Sequence, residues 1–148
     1  MQHSARNAER RIYDMRVLGI DYGVKKIGIA IGDTVTKIAT PWVILENQGH
    51  GESIKQIKLI CEREGAERVV LGVPRMLRDA TQENDQIKAI RLFEADLRSI
   101  EIPVDEADET LTSAEARHYL DGGLRQQDDA VAAAIMLESY LNSGRIKE

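Results

Sequence analysis

The sequence predicts an α/β domain, a mixed five-stranded sheet flanked by helices, and three observations lead there. The runs "RVLGID" and "KIGIAIGD" are strand-like and joined by a short glycine turn, so the chain opens on a hairpin. After a third strand, segments of helical and strand period alternate. Finally, "ERVVLGVP" is a short, almost continuous apolar run, the pattern of a strand covered on both faces in a parallel sheet.

Taken in order, residues 16 to 21 read as a buried strand. From Lys26, the isoleucines at 27, 29 and 31 alternate with glycine and alanine, which is the period of a second strand. "IATPWVILE", from Ile38, supplies a third, and Pro41, which brings no N–H to a ladder, suits an edge strand or a strand's start. Gly49 and Gly51 then break the chain. From Ser53 a helix places Ile54, Ile57, Ile60 and Cys61 on one face and closes at Gly65, a residue that adopts the left-handed helix end without strain. After the fourth strand, Arg75 to Asn84 form a polar loop. A second helix aligns Ile87, Ile90, Phe93 and Leu97, and "IEIPVDEADE" makes the fifth strand. Thr112 and Glu115 have the capping-box spacing of a third helix, and "DDAVAAAIMLESYL" is a strong final one. Three meandering strands followed by alternating helices and strands imply a mixed sheet covered by helices. A ribonuclease H-like arrangement satisfies this order. A flavodoxin-like one would alternate from the first strand.

At 148 residues the chain fits one domain with a real core. The first segment, 1-14, is polar and shows neither period, so it is expected to be a flexible N-terminal extension before the ribonuclease H-like domain at 15-148. Hydrophobic residues make up 43% and charged residues 30%, with only 4% aromatic, which describes a soluble protein with an aliphatic core. A single cysteine, Cys61, excludes an internal disulfide and suits a reducing compartment. No apolar run reaches the roughly 18 residues of a membrane span, and no hydrophobic signal segment opens the chain. A cytoplasmic location, with no membrane partner, is the expectation. The net charge of −5 argues against coating nucleic acid through many basic contacts. It leaves room for an enzyme in which metal ions neutralise the scissile phosphate.

Asp21 falls at the carboxyl end of the first strand, the edge where open α/β sheets bind ligands. Asp108 and Glu109 end the fifth strand, which should run parallel to the first. Asp128 and Asp129 open the last helix. If the start of that helix lies over this edge, three sequence-distant carboxylates converge. Carboxylates without nearby histidine or cysteine favour hard cations, Mg²⁺ or Mn²⁺. Each acid also has a plainer account: Asp128 or Asp129 as a helix cap, Asp108 and Glu109 as a solvated strand end, Asp21 as a turn residue beside Gly23. Gly23, Gly28 and Gly32 straddle two strands and lack the spacing of a phosphate loop. Their expected purpose is the turn itself and the close approach of a helix or a substrate backbone. Lys25, at the hairpin tip, is placed to touch a phosphate. His3, His50 and His118 lie in unrelated contexts and receive no role.

The pieces "GIDYGVKKIGIAIGD", "RVVLGVP", "DETLTSAEA" and "QDDAVAAAIMLESYL", in this order over residues 16 to 142, resemble the YqgF (RuvX) family of pre-16S rRNA nucleases and Holliday junction resolvases. The resemblance implies a ribonuclease H-like fold, a divalent-metal nuclease and a bacterial cytoplasm. It puts the family's first-strand acid on Asp21, its hairpin lysine on Lys25, the acid of its fifth-strand motif on Glu109 and its helix aspartate on Asp129. Two departures stand out. Thr110 occupies a position where the family usually has arginine. The loop after "GVP" has Asp79 and Ala80 where a glycine is usual, with Arg75 and Arg78 adding charge.

The resulting expectation is a Mg²⁺- or Mn²⁺-dependent nuclease acting on structured nucleic acid, with Asp21, Glu109 and Asp129 as catalytic metal ligands and Lys25 and Arg75 against the substrate. Processing of the 5′ end of precursor 16S rRNA is the favoured role. Branched DNA comes second, because a junction resolvase normally needs two sites about a dimer axis and nothing in the sequence announces a dimer. A non-catalytic nucleic-acid-binding domain is the rival: the absent arginine favours it and the retained acids oppose it.

Overall fold

The computed structural model describes residues 14–74, 85–108 and 128–146. The elements are β1 (Arg16–Asp21), β2 (Lys26–Asp33), β3 (Ala39–Glu46), α1 (His50–Glu64), β4 (Ala66–Val73), α2 (Asp85–Leu97), β5 (Val104–Asp108) and α3 (Asp128–Leu141). The five strands form one sheet in the order β3-β2-β1-β4-β5. β2 is antiparallel to β1 and to β3, whereas β4 is parallel to β1 and β5 parallel to β4. This mixed sheet is the ribonuclease H-like architecture expected from the element order. The expected helix at Thr112, the loop 75–84 and residues 1–13 of the extension lie outside the described residues.

Period-two alternation sorts the sheet into two cores. Leu18, Ile20, Ile27, Ile29, Val69 and Leu71 face one side, where Ile57 of α1 and Phe93 of α2 cover them. Val17, Ala30, Val70 and Ala107 face the other, under Ala133, Ala134 and Leu137 of α3. Full burial of each large aliphatic side chain contributes about 1.5–3 kcal/mol. The second core is built from small residues, so α3 lies close to the sheet.

Three boundaries differ from expectation, each for a local reason. Helix α1 begins at His50, not Ser53, because its first backbone bond runs from the Ser53 N–H to the Gly49 carbonyl at 3.0 Å. Strand β5 begins at Val104 because Glu101 takes a left-handed backbone (φ 66°) and Pro103 has no N–H to offer a ladder. Strand β3 begins at Ala39, whose N–H donates to Glu138 Oε1 of α3 at 3.0 Å. Pro41 does sit on an edge strand, beside a bulge: Ala30 pairs with Pro41 and Ile29 with Val43, and the extra residue is Trp42. Among the described residues no helix is long and apolar enough to cross a membrane.

Candidate active site

Asp21 is the last residue of β1, where its neighbours in register are Gly28 of β2 and Gly72 of β4. Glycines therefore flank it on both sides, and the reason lies above the sheet. A β-carbon on Gly28 would stand 2.0 Å from the carbonyl oxygen of Asp129 and 2.2 Å from its carbonyl carbon. Further along, one on Gly19 would meet Leu137 Cβ at 2.9 Å and one on Gly32 would meet Leu141 Cδ1 at 2.8 Å. These glycines form a trough in which α3 lies, with its first turn over the end of β1. Odd-numbered positions of β1 face this helix: Val17 belongs to its core and Gly19 touches it. Asp21 continues that alternation, so its side chain emerges on the face and at the edge where Asp129 starts the helix. Both residues are half-buried.

The fifth strand ends on the same edge, since Ala107 pairs with Gly72 and Asp108 with Val73. Its alternation separates its acids. Ala107 lies under α3, and the Tyr140 hydroxyl of α3 donates to Asp105 Oδ2, whereas Val104 packs into the core beneath α1 and α2. Asp108 shares the parity of Val104, so it ends the strand on the face opposite Asp21 and Asp129. Glu109 and Arg75 lie outside the described residues, as does the side chain of Asp128. Among the described residues no group of three acidic, histidine or cysteine side chains gathers to hold a metal. The described part of the site is the pair Asp21 and Asp129.

The hairpin tip carries an exposed Lys25, and residues that the sequence reading passed over hold the turn. Tyr22, directly after Asp21, stacks on Phe93 with ring centroids 4.5 Å apart, and its hydroxyl bonds His50 Nε2 at 3.0 Å. His50 Nδ1 lies 3.4 Å from Asp96 Oδ2. Asn47 Nδ2 donates to the Gly23 carbonyl at 2.8 Å, and the Asn47 N–H donates to the Lys25 carbonyl at 2.9 Å. No sequence period marks such contacts, because they join residues 22 to 71 positions apart across separate elements.

The donor chemistry of this edge fits a hard divalent cation. Asp21 ends β1 on the α3 side and Asp129 lies in the first turn of α3, while the His50 ring is engaged by Tyr22 and Asp96 on the other side. Cys61 is buried in the core beneath α1, where burial and the charge of Glu62 push its thiol up to about 11, far from a thiolate ligand. Oxygen donors without imidazole or thiolate suit Mg²⁺ or Mn²⁺. A groove of about 320 Å³ lined by Trp42, Leu45, Leu59 and Ile60 lies between β3 and α1, on the face away from the acid pair.

The ribonuclease H-like sheet and the family likeness of the chain make this protein a nuclease, a hydrolase of phosphodiester bonds. A family model described as "RuvX: Holliday junction resolvase" matches residues 15–143. The chain belongs to this RuvX family. A protein of Chloroflexus aggregans named "Putative pre-16S rRNA nuclease" is 33% identical over 139 residues, covering 89% of this chain and 96% of the relative. One of Caldanaerobacter subterraneus with the same name is 34% identical over 136 residues, covering 87% and 97%. Among solved structures, Thermus thermophilus RuvC in complex with a Holliday junction substrate superposes with a TM-score of 0.59 at 15% identity, covering 90% of this chain and 98% of that one. The fowlpox virus resolvase in complex with junction DNA gives 0.56 at 13% identity, covering 89% and 100%. At these identities the likeness to the solved structures is one of fold.

Proposed function

We propose that this RuvX-family nuclease is metal-dependent and processes the 5′ end of precursor 16S rRNA, with Asp21, Glu109 and Asp129 as the ligands of Mg²⁺ or Mn²⁺. The observation that supports the reading is that Asp21 ends β1 beside Gly28, over which the main chain of Asp129 lies so close that only glycine fits. Glu109 enters as the third ligand because the acid of the family's fifth-strand motif falls on it. Bound divalent cations would supply charge to stabilise the attacking and leaving oxygens of the phosphodiester. The chain's own contribution is to hold the acids on one rigid edge and to present Lys25, from the hairpin, and Arg75, from the loop after β4, to neighbouring phosphates. The names of the curated relatives favour precursor rRNA. A second reading, resolution of four-way DNA junctions in recombination and repair, is favoured by the description of the family model and needs a dimer. The domain is taken as 15-148 after a short extension, and a cytoplasmic site of action suits both readings.

The test is cleavage of labelled precursor 16S rRNA and of a labelled four-way junction by the purified protein, with Mg²⁺, Mn²⁺ or chelator, beside Asp21→Asn. Metal-dependent cutting of the RNA that disappears in the variant supports the reading. Cutting of the junction alone transfers it to the resolvase role. A well-folded protein that cuts neither substrate refutes both and leaves the non-catalytic binding domain.

A further inference from the structure

Asn47 stands between β3 and α1, and both ends of its side-chain amide are engaged. Nδ2 donates to the Gly23 carbonyl at 2.8 Å, while Oδ1 accepts the Gly49 N–H at 3.2 Å and the Ser53 hydroxyl at 3.2 Å. Its main-chain N–H donates to the Lys25 carbonyl at 2.9 Å. The amide orientation follows from its partners: the Gly23 carbonyl only accepts and the Gly49 N–H only donates, so the nitrogen faces the turn and the oxygen faces the helix. Two of these bonds end on either side of the β1–β2 turn, at Gly23 and at Lys25. The turn is tight, since a β-carbon on Gly23 would stand 2.4 Å from the Lys26 carbonyl, and its outer residues Val24 and Lys25 are exposed. Opposite, the oxygen of the amide is tied to Ser53, which is only 1% exposed within the first turn of α1.

The geometry points to Asn47 as a positioning residue: it fixes the turn between Asp21 and Lys25 to the start of α1, so that the lysine keeps its place relative to the metal-binding carboxylates. This role rests on the nuclease reading above. Asn47 is well suited to it because a single planar group joins the hairpin to a buried hydroxyl. A side-chain amide donates from its nitrogen and accepts at its oxygen, two separate atoms that face opposite sides here. Through it, a hairpin tip with little packing of its own is coupled to the rigid core beneath α1.

The two halves of the bridge can be separated chemically. Asn47→Asp keeps acceptors for Gly49 and Ser53 but turns a carboxylate oxygen toward the Gly23 carbonyl, which removes the donor and adds repulsion. Ser53→Ala removes only the helix-side hydroxyl. The experiment measures cleavage of a labelled precursor 16S rRNA fragment with Mn²⁺, together with amide exchange at positions 24 to 26 and 47, for wild type, N47D, S53A, K25A and N47D/K25A. In N47D, exchange at these positions should rise at least about tenfold with strands β1 and β4 unchanged, and kcat/KM should fall roughly ten- to a hundredfold. S53A, which removes one of the two donors to the amide oxygen and so part of the tie to α1, should move both readings in the same direction as N47D but less. K25A should cost clearly less in the N47D background than in wild type, because the lysine has already lost its place.

Full activity in N47D overturns the positioning role, as does unaltered exchange in the turn. Losses in N47D and K25A that simply multiply do so too, since they show the two residues acting independently. If N47D does not fold, Asn47→Ser, which keeps a short acceptor for Gly49 and loses the reach to Gly23, gives the same readings. A wild-type protein that cuts nothing overturns the nuclease reading and the positioning role with it. Cutting by wild type with undiminished cutting by N47D overturns the positioning role alone.

Discussion

The main-chain carbonyl of Asp129 lies so close over Gly28 that a β-carbon there would stand 2.0 Å from its oxygen. The obstacle is backbone at the start of a helix, so no side-chain rotation relieves it. Gly28→Ala must therefore push the first turn of α3 outward and carry Asp129 away from Asp21. Overpacking of this kind costs about 1–3 kcal/mol, and a displacement near 1 Å lowers turnover on the order of a hundredfold. Thermal melts and cleavage assays on the variant read the two effects. Gly51→Ala is the contrasting case: it lies in helix α1 with open space around its missing side chain. It should raise stability by about 0.4–1 kcal/mol and leave cleavage unchanged.

Asp21→Asn and Asp129→Asn keep size and shape while removing a charge that the proposed metal site would use. Each should lower cleavage on the order of a thousandfold, equivalent to about 4 kcal/mol of lost transition-state stabilisation. Their stabilities should differ slightly. An acid in the first turn of a helix contributes about 0.3–1 kcal/mol through the helix dipole, so D129N should melt a little below D21N. Isothermal titration with Mn²⁺ should show binding to wild type weakened in both variants, and chelator should abolish wild-type cleavage. Unchanged Mn²⁺ affinity in D129N would remove that residue from the ligand set.

The order of strands and helices was legible because each element carries its own period: isoleucines at 27, 29 and 31 for a strand, Ile87, Ile90 and Phe93 for a helix face. The site was legible in part. Asp21 and Asp129 each mark the end of an element, and parallel connections bring such ends to one edge. The close approach of a helix over Gly28 was anticipated; what the sequence could not show was that the obstacle is the backbone of a residue about a hundred positions away. Asp108 and Glu109 looked equivalent as neighbours; the register of β5 puts Asp108 with Val104, on the side of the sheet opposite Asp105 and Ala107, and Glu109 lies outside the described residues. Asn47 and His50 were invisible for a similar reason. A polar stretch between two glycines reads as a loop, and only the folded chain reveals that it reaches back to the first hairpin.

Asp33 closes the β2–β3 connection, and its Oδ1 accepts the N–H groups of Val35 at 2.7 Å and Thr36 at 2.9 Å. Partial burial pushes its carboxyl upward, but these bonds outweigh it and hold the group below its ordinary value of 3.8. The unfolded chain therefore binds a proton more readily than the folded one. The contribution to stability is present above 3.8 and is lost as pH falls through the lower folded value. Asp33→Ala should reduce stability at neutral pH and flatten the acid limb of the curve of melting temperature against pH. An acid limb as steep as that of wild type would show that other carboxylates control it.

Tyr140 predicts the opposite limb. It sits near the end of α3, buried to 3% exposure, with its hydroxyl donating to Asp105 and the Arg145 guanidinium 5.1 Å from its ring centre. Burial first, then the hydrogen bond to Asp105 and that carboxylate's negative charge, push the phenol from 10.0 up to about 12. Folding thus favours the protonated phenol. Its contribution is complete below the unfolded value of 10.0 and is lost as pH rises toward about 12. A titration followed by phenolate absorbance should show one tyrosine ionising well above the others and together with unfolding. Tyr140→Phe should lose about 0.5–1.5 kcal/mol at neutral pH with the hydrogen bond, and its stability should fall less steeply at alkaline pH. The proposed acid site is at the opposite end of α3, so cleavage at neutral pH should remain that of wild type. A late-ionising tyrosine that survives in Y140F would assign the raised phenol elsewhere.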